Sequence, residues 1–346
     1  MNKYILDEKI GMTYNASSKA RDDVAYFVST YCDSSNGGYK LLGCNDKTQA
    51  NSKIEKALIG IKSLFVVFTK IKKNDVLFVQ SSFSILKILN IMKKVKPFKT
   101  IYLIHDIDSL RDAYEDDRAN SESVHILNQQ DVLICHNQKM ISELERRGCN
   151  IKKVSLEIFD YSMDVNDQEY ERNFYKKRVC FAGNLNPNKT GFLYKLDNNP
   201  PSTYSINVYG KKEKEFKNLN YCGCYSPEDL PKKMIAEFGL IWEGDDYTYD
   251  ESEHPYIMFN NPHKASLYTI SKLPIIVWRK AAIADLVLQE GIGVVIDSIQ
   301  DIDRIMQDIT AEDYALMQNN INKFRRKLIN GEHIHAALSR AESFIL

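Results

Sequence analysis

The chain has 346 residues, of which 44% are hydrophobic, and this fits about two folded domains and excludes a disordered chain. Lys plus Arg and Asp plus Glu each number 46, so the formal net charge is zero, which argues against a nucleic-acid binder. The start lacks the apolar run of a signal peptide, and no uncharged apolar stretch of about 18 residues occurs, so we expect a cytoplasmic chain without a membrane-spanning helix.

Two further classes of site are not expected. The seven cysteines are scattered, with Cys222 and Cys224 as the only close pair, so the paired spacings of a zinc site are missing and we expect reduced thiols. No Gly-x-Gly-x-x-Gly and no Walker-type loop is present, which argues against a nicotinamide cofactor and a P-loop.

In chain order, a polar loop at 11–23 runs into a helix, and a lysine-rich stretch follows. Residues 53–99 hold eleven lysines against Glu55 and Asp75, many of them on helical patterns with an apolar face at 54–71 and 85–95. Such helices suit an anionic membrane surface. The alternative is a solvated lysine face on ordinary core helices.

The rest of the first half alternates short apolar runs with helical patterns, as in a parallel sheet. Strands are predicted at 76–80, 100–104 and 132–135, with helices at 83–94 and 138–147 and one before the third strand.

The second half repeats this pattern after a polar, aperiodic segment at 161–177. Its strands are predicted at 179–182, 206–209, 238–242, 274–278 and 293–297. Its helices are predicted at 227–236, 263–271, 281–289, 299–308 and 311–328.

The predicted fold class is α/β, with two Rossmann-like doubly wound domains and a ligand cleft between them at the carboxyl ends of the strands. We place the domains at 1–160 and 161–330, with a final helix at 331–346 that could pack back on the first domain.

Strand 100–104 delivers His105, Asp106 and Asp108 to the carboxyl edge of its sheet. His105 is a candidate general base because histidine titrates near neutral pH and a neighbouring carboxylate could orient it. The alternative is a loop histidine, with Asp106 starting the next helix. His136 is a weaker candidate after the following strand.

Strand 179–182 ends in a turn with Gly183, Asn184 and Lys189. Glycine allows a ligand to approach the backbone closely, and the lysine could meet a phosphate. Gly-Asn turns are common, so this signal is weak by itself.

The most informative stretch is 238–285, where two apolar strands flank an acidic loop and the run Asn260-Asn261-Pro262-His263-Lys264. An asparagine would cap the helix, and Pro262 would take its first position. Lys264 in the first turn opposes the helix dipole, which suggests that an anion binds there. The alternative is an ordinary capped helix with a solvated lysine.

The loop at 243–253 carries six acidic residues and no Lys or Arg. It lacks the ligand spacing of a calcium site. It is interpreted as a wall that hydrogen-bonds sugar hydroxyls, or as a solvated loop.

Several of these segments resemble one family. LIHDIDSLR, ICHNQKM, IFDY, FAGNL, FGLIWEGD, FNNPHKASLY and LPIIVW look like the bacterial β-1,6-galactofuranosyltransferases of O-antigen assembly. They also look like the related glucosyltransferases that extend glycans on streptococcal serine-rich adhesins. The resemblance runs from about Lys19 to the last helix.

This resemblance implies a GT-B fold and the use of a UDP-sugar without a metal or other cofactor. It implies UDP contacts at Asn260, Lys264, Tyr209 and Lys189. The segments that carry it add Gly183, Asn184, Asn261 and Ser266 to the donor side and Asp108 to the acceptor side. The polar loop at 11–23, which corresponds to the family only loosely, adds Thr13, Ser17 and Arg21 to the acceptor side.

The resulting hypothesis is a hexosyltransferase, with galactofuranose as the donor sugar, that builds cell-surface polysaccharide on a lipid-linked or protein-linked glycan. His105 or Asp106 would be its base. The expected location is the cytoplasm, peripheral to the inner membrane face, with self-association as a further expectation. Alternatives are a glucose or N-acetylglucosamine transferase acting on a surface glycoprotein, and a non-catalytic sugar-binding or chaperone partner of another transferase.

Overall fold

The computed structural model describes residues 1–9, 16–31, 38–46, 52–163, 172, 174–251 and 255–346. The chain divides into two units: unit 1 is Met1–Asp160 with Gly331–Leu346, and unit 2 is Tyr161–Asn330. The final helix therefore belongs to the first unit. Within the described ranges, no helix is long and apolar enough to cross a membrane.

Unit 1 contains a six-stranded sheet in the order β2-β1-β3-β4-β5-β6, with every pairing parallel. Its strands are β1 (Lys3–Lys9), β2 (Lys40–Asp46), β3 (Val76–Val79), β4 (Lys99–Leu103), β5 (Val132–Cys135) and β6 (Lys152–Ser155). Its helices are α1 (Ala16–Thr30), α2 (Lys53–Lys70), α3 (Phe83–Val95), α4 (Asp108–Asp112), α5 (Asp117–Leu127), α6 (Gln138–Arg146) and α13 (Glu332–Glu342). The strand order reverses between β1 and β3, which is where such sheets open a ligand crevice.

Unit 2 contains a second six-stranded parallel sheet in the order β12-β11-β10-β7-β8-β9. Its strands are β7 (Arg178–Ala182), β8 (Ser205–Tyr209), β9 (Asn220–Gly223), β10 (Phe238–Ile241), β11 (Ile275–Trp278) and β12 (Gly293–Ile296). Its helices are α7 (Gly191–Asn198), α8 (Leu230–Lys233), α9 (His263–Ile270), α10 (Ala284–Gln289), α11 (Asp301–Asp308) and α12 (Ala311–Ile329). The order reverses between β7 and β10.

Helices cover both faces of the central strands, so the sequences of these strands are unbroken apolar runs. For this reason the central strands lie where the sequence predicts them. Every residue of β3, β5, β10 and β11 is buried. The predicted α/β class is therefore confirmed.

The predicted helix at 227–236 is wrong, because only the four residues of α8 are helical. A proline at its second position suits a helix start, but the chain returns to an extended conformation at Met234.

Helix α13 is fixed to unit 1 by buried polar contacts. Nζ of Lys3 in β1 lies 2.8 Å from a carboxylate oxygen of Glu342, and the hydroxyl of Tyr39 donates to the other oxygen. At the start of α13, Asp160 accepts hydrogen bonds from Nδ1 of His333 at 2.9 Å and from the backbone N–H of Ile334 at 2.7 Å. The last residues of the chain therefore complete the core of the first unit.

Candidate active site

The main feature of unit 2 is the ammonium of Lys264 at the start of α9. Its Nζ lies 4.1 Å from the ring centroid of Phe181 in β7. A Cβ placed on Gly183 would lie 2.9 Å from its Cε, so the lysine lies directly against the backbone where β7 ends. Only glycine leaves the space that this side chain occupies.

Among the described residues, no carboxylate forms an ion pair with the ammonium of Lys264. Loss of hydration lowers the pKa of the Lys264 ammonium, and the attraction of Glu243 opposes that shift only in part. A half-buried positive charge beside a helix N-terminus makes a site for an anion.

Tyr268 holds the helix that carries this lysine. It lies one turn after Lys264, and its buried hydroxyl accepts from the N–H of Ala182 in β7 and donates to the carbonyl of Leu240 in β10, both at 3.0 Å. Gly239 makes room for the ring, since a Cβ there would lie 2.4 Å from it. The two strands at the reversal of the sheet thus fix α9. A local sequence pattern contains no signal for this contact.

The predicted asparagine cap is wrong. Pro262 is the N-cap residue, with no side-chain cap hydrogen bond, and the helix begins at His263. Asn260 is partly exposed just before the helix, whereas Asn261 is buried. Ser266 is fully buried within α9 and has no surface that a ligand could contact in this structure. Of these predicted contacts, Asn260 and Lys264 are the accessible ones.

The turn after β7 is built from backbone contacts. The N–H of Gly183 donates to the carbonyl of Tyr209 at 3.0 Å, and a Cβ on Gly210 would overlap the carbonyl oxygen of Gly183. The side chain of Asn184 accepts from the N–H of Asn186, forming an Asx turn. Asn184 is exposed, but this bond uses its side-chain oxygen.

Lys189 ends this turn with an exposed side chain. Its carbonyl accepts from the N–H of Gly244 at 3.1 Å, which joins the turn to the residue after Glu243. The structure thus brings Gly183, Lys189 and Lys264 to one edge of the sheet.

Tyr209, by contrast, has a structural role. Its ring is buried, and its hydroxyl accepts from the N–H of Ile235 at 2.8 Å and donates to the carbonyl of Lys233. Burial raises the pKa of its hydroxyl above the usual value. The side chain supports the chain after α8 and leaves no exposed group for a nucleotide.

The acidic loop packs on aromatic side chains. Tyr249 stacks on Trp278 at 4.3 Å between centroids and meets Trp242 edge-on. Asp246 pairs with Lys195 at 2.8 Å, which lowers the pKa of its carboxyl, and Glu251 pairs with Lys280. Over the described part of the chain, no group of three or more His, Cys, Asp or Glu side chains is placed to hold a metal ion.

Unit 1 brings together four side chains at the reversal of its sheet. Nε2 of His105, after β4, lies 2.9 Å from Oε1 of Gln80, which follows β3. The amide nitrogen of Gln80 donates to Asp7 of β1 at 3.2 Å and to the carbonyl of Arg21 in α1 at 3.0 Å. Phe159 stacks on the imidazole with a centroid distance of 5.4 Å.

These bonds determine the tautomer of His105. Both partners of the Gln80 nitrogen are acceptors, so its oxygen faces His105 and must accept the hydrogen of Nε2. The lone pair of the neutral ring is then at Nδ1, the nitrogen that would take a proton. The sequence indicated His105 and Arg21, but not Gln80 or Asp7, which lie far apart in the chain.

Asp106 is paired with a cation. Its carboxylate lies 3.4 Å from Arg111, which also pairs with Asp108 at 2.8 Å. The exposed Asp108 starts α4. His136 is buried and donates from Nε2 to the carbonyl of Ile104, so it supports the structure.

The remaining acceptor-side predictions are not resolved by the structure. Ser17 lies in α1, but its side chain is outside the described part, and Thr13 lies outside the described residues altogether.

Comparisons with known proteins agree on the family. The model of the glucosyltransferase 3-like N-terminal domain matches residues 2–158, and the model of the C-terminal domain matches residues 179–341. The chain belongs to the glucosyltransferase 3-like family. The relatives of this chain are glycosyltransferases, so the chain is a glycosyltransferase as well.

Two relatives represent the family. The β-1,6-galactofuranosyltransferase WbbI of Escherichia coli (strain K12) is 30% identical over 72% of this chain and 73% of its own length. The glucosyltransferase 3 of Streptococcus gordonii is 27% identical over 69% of each chain. The resemblance inferred from the sequence motifs is thus confirmed.

Solved structures confirm the GT-B type of fold. The lipopolysaccharide outer core galactosyltransferase WaaB in its apo form aligns with a TM-score of 0.62 at 11% identity over the whole of both chains. OtsA aligns with a TM-score of 0.59 at 6% identity, covering 99% of each chain. At such low identity the likeness concerns the fold alone.

Proposed function

We propose that this glycosyltransferase takes galactofuranose from its UDP-sugar and transfers it to a hydroxyl of a glycan acceptor during cell-surface polysaccharide assembly. The 30% identity to a galactofuranosyltransferase over most of both chains supports the donor sugar. We further propose that the acceptor is lipid-linked and that the enzyme works at the inner face of the membrane.

The observation that carries the proposal is the ammonium of Lys264, which pairs with no carboxylate among the described residues. Displacement at the anomeric carbon transfers negative charge to the departing diphosphate, and a preformed positive charge stabilises that charge as it develops. Burial makes the effect larger than it would be in water, because the local dielectric constant is low. The N-terminus of α9 adds its partial positive charge in the same place.

In this mechanism the acceptor oxygen bonds to the anomeric carbon while the bond from that carbon to the diphosphate oxygen breaks. Nδ1 of His105 takes the proton of the acceptor hydroxyl, and Gln80 holds the ring in the tautomer that can do so. Lys264 and the helix N-terminus supply the positive charge for which other transferases use a metal ion. We therefore propose turnover without a divalent cation or other cofactor.

The test is a panel of UDP-galactofuranose, UDP-galactopyranose, UDP-glucose and UDP-N-acetylglucosamine with glycan acceptors, scored by UDP release with and without a chelator. We expect UDP-galactofuranose to be preferred and the chelator to have no effect. Lys264→Met should lower turnover by a factor of about 100 to 1,000, as for other groups that stabilise developing charge. The control is Lys323→Met, which removes an exposed lysine of α12. Unchanged turnover in Lys264→Met, or equal loss in the control, contradicts the assignment.

A second candidate is glucosyl transfer to a glycan on a surface glycoprotein. It is favoured by the match of both domain models and by the streptococcal relatives at 27% and 23% identity. The same panel separates the two, because this candidate requires UDP-glucose to be the preferred donor.

A further inference from the structure

Helix α2 presents large apolar side chains to solvent. Leu58, Ile61, Phe65 and Phe68 recur every three or four residues and therefore lie along one side of the helix. Val67 on the opposite side is buried, and so is Leu64 beside the stripe. The helix thus already has a core face, and the exposed stripe is additional to it.

Helix α3 repeats the arrangement with Ile88, Ile91 and Val95, while Leu86 and Leu89 are buried. Lys96, just after α3, donates to the carbonyl of Phe68 at 2.7 Å and lies 5.1 Å from its ring centroid. The carboxyl ends of the two helices are therefore neighbours. The seven exposed side chains of Leu58, Ile61, Phe65, Phe68, Ile88, Ile91 and Val95, which we call the α2–α3 face, are 40% to 73% exposed.

The segment that carries this face also carries exposed lysines with no carboxylate partner among the described residues. The exposed ones are Lys62, Lys70, Lys72, Lys73 and Lys94. Within the described residues, none of these five pairs with a carboxylate, whereas Lys87, Lys93 and Lys99 of the same segment pair with acidic residues of or beside α5. Unbalanced positive charge therefore belongs to the same segment as the exposed apolar side chains.

We propose that the α2–α3 face docks on an anionic lipid bilayer. The apolar side chains would enter the boundary between headgroups and acyl chains, and the lysines would lie among the lipid phosphates. The α2–α3 face would be the surface through which the enzyme reaches the membrane. This role rests on the proposed function, because a lipid-linked acceptor is the reason for a membrane location.

The charge pattern favours lipid over a second copy of the chain. In a symmetric dimer the same patch meets itself, so the lysines of the two copies would face each other without carboxylates to pair with. Like charges across an interface oppose association. A bilayer with anionic headgroups supplies apolar contact and negative charge together.

The experiment is sedimentation of the full chain with sucrose-loaded vesicles of phosphatidylcholine, with and without phosphatidylglycerol, in the absence of any sugar substrate. We expect binding to the anionic vesicles that weakens with salt, and little binding to the neutral ones. The double variant Lys72→Gln/Lys73→Gln should weaken binding about 25-fold, at about fivefold for each lysine near an anionic surface. Phe65→Ser and Ile91→Ser should weaken it further.

The matched controls lie in unit 2. Lys323→Gln removes an exposed lysine, and Leu316→Ser removes an exposed apolar side chain of α12. Both should bind vesicles as the native chain does. Transfer to a soluble acceptor should be unchanged in all these variants, so vesicle binding and catalysis fail or succeed independently.

Three results would overturn the proposal. In the first, the native chain fails to sediment with anionic vesicles. In the second, the controls lose as much binding as the face variants. In the third, the face variants change the oligomeric state by light scattering while vesicle binding stays the same, which would assign the face to a second copy.

Discussion

Tyr268→Phe tests whether α9 is held in place by one hydroxyl. The change removes the oxygen that accepts from Ala182 and donates to Leu240, and leaves a buried N–H and a buried carbonyl without that partner. An unsatisfied buried group costs about 1–3 kcal/mol, so the two together should lower the free energy of unfolding by about 2–6 kcal/mol. For a unit of this size the loss corresponds to a fall in Tm of roughly 5–25 °C.

The variant should also weaken UDP binding, because Lys264 lies one helical turn from the lost anchor. The loss of one charge-assisted hydrogen bond would raise the Kd for UDP by about tenfold or more. Calorimetry with UDP, carried out below the Tm of the variant, measures this effect apart from stability.

Tyr314→Phe is the matched control. Its buried hydroxyl donates to the carbonyl of Glu237 and accepts from Gln318, both at 3.2 Å, on α12 of the same unit. We expect a similar loss of Tm with an unchanged Kd for UDP. The reasoning is refuted if Tyr268→Phe binds UDP as tightly as the native chain, or if both variants lose affinity equally.

Three further predictions concern the two sheet edges. Gly183→Ala should weaken UDP binding about tenfold, since the new Cβ takes the space of the Lys264 side chain; native affinity by calorimetry would contradict this. Lys264→Met should raise the Tm at neutral pH, because the lowered pKa means that the charge destabilises the folded state there. This gain should shrink as pH rises towards the ordinary lysine pKa, and a lower Tm at neutral pH would exclude the argument. Gln80→Leu should lower kcat about tenfold or more with little change in the donor KM, because His105 loses its orienting acceptor; an equal rise in KM in steady-state kinetics would indicate a binding role instead.

The hydrophobic pattern by itself determined the class of fold. Central strands such as β3, β5, β10 and β11 are covered on both faces, so each is a short unbroken apolar run between polar turns. The same pattern predicted that Gly183, His105 and Lys264 follow strands or begin a helix, because parallel strands carry their ligands at their carboxyl ends.

The tertiary structure decided which partners hold each of these residues in place. The tautomer of His105 depends on Gln80 and Asp7, which lie 73 residues apart and meet only because β1 and β3 are adjacent. The placement of Lys264 depends on Tyr268, whose hydroxyl bridges β7 and β10.

The same distinction explains what the sequence alone did not indicate. Tyr209 is predicted to contact the nucleotide, and only the structure shows that its hydroxyl bonds to the chain after α8. Strand β1 was not predicted, because Lys3 and Asp7 interrupt its apolar run. The partners of these two residues, Glu342 and Gln80, are distant in sequence. Local periodicity records which side chains avoid water, whereas the pairing of buried polar groups is settled only when distant segments pack together.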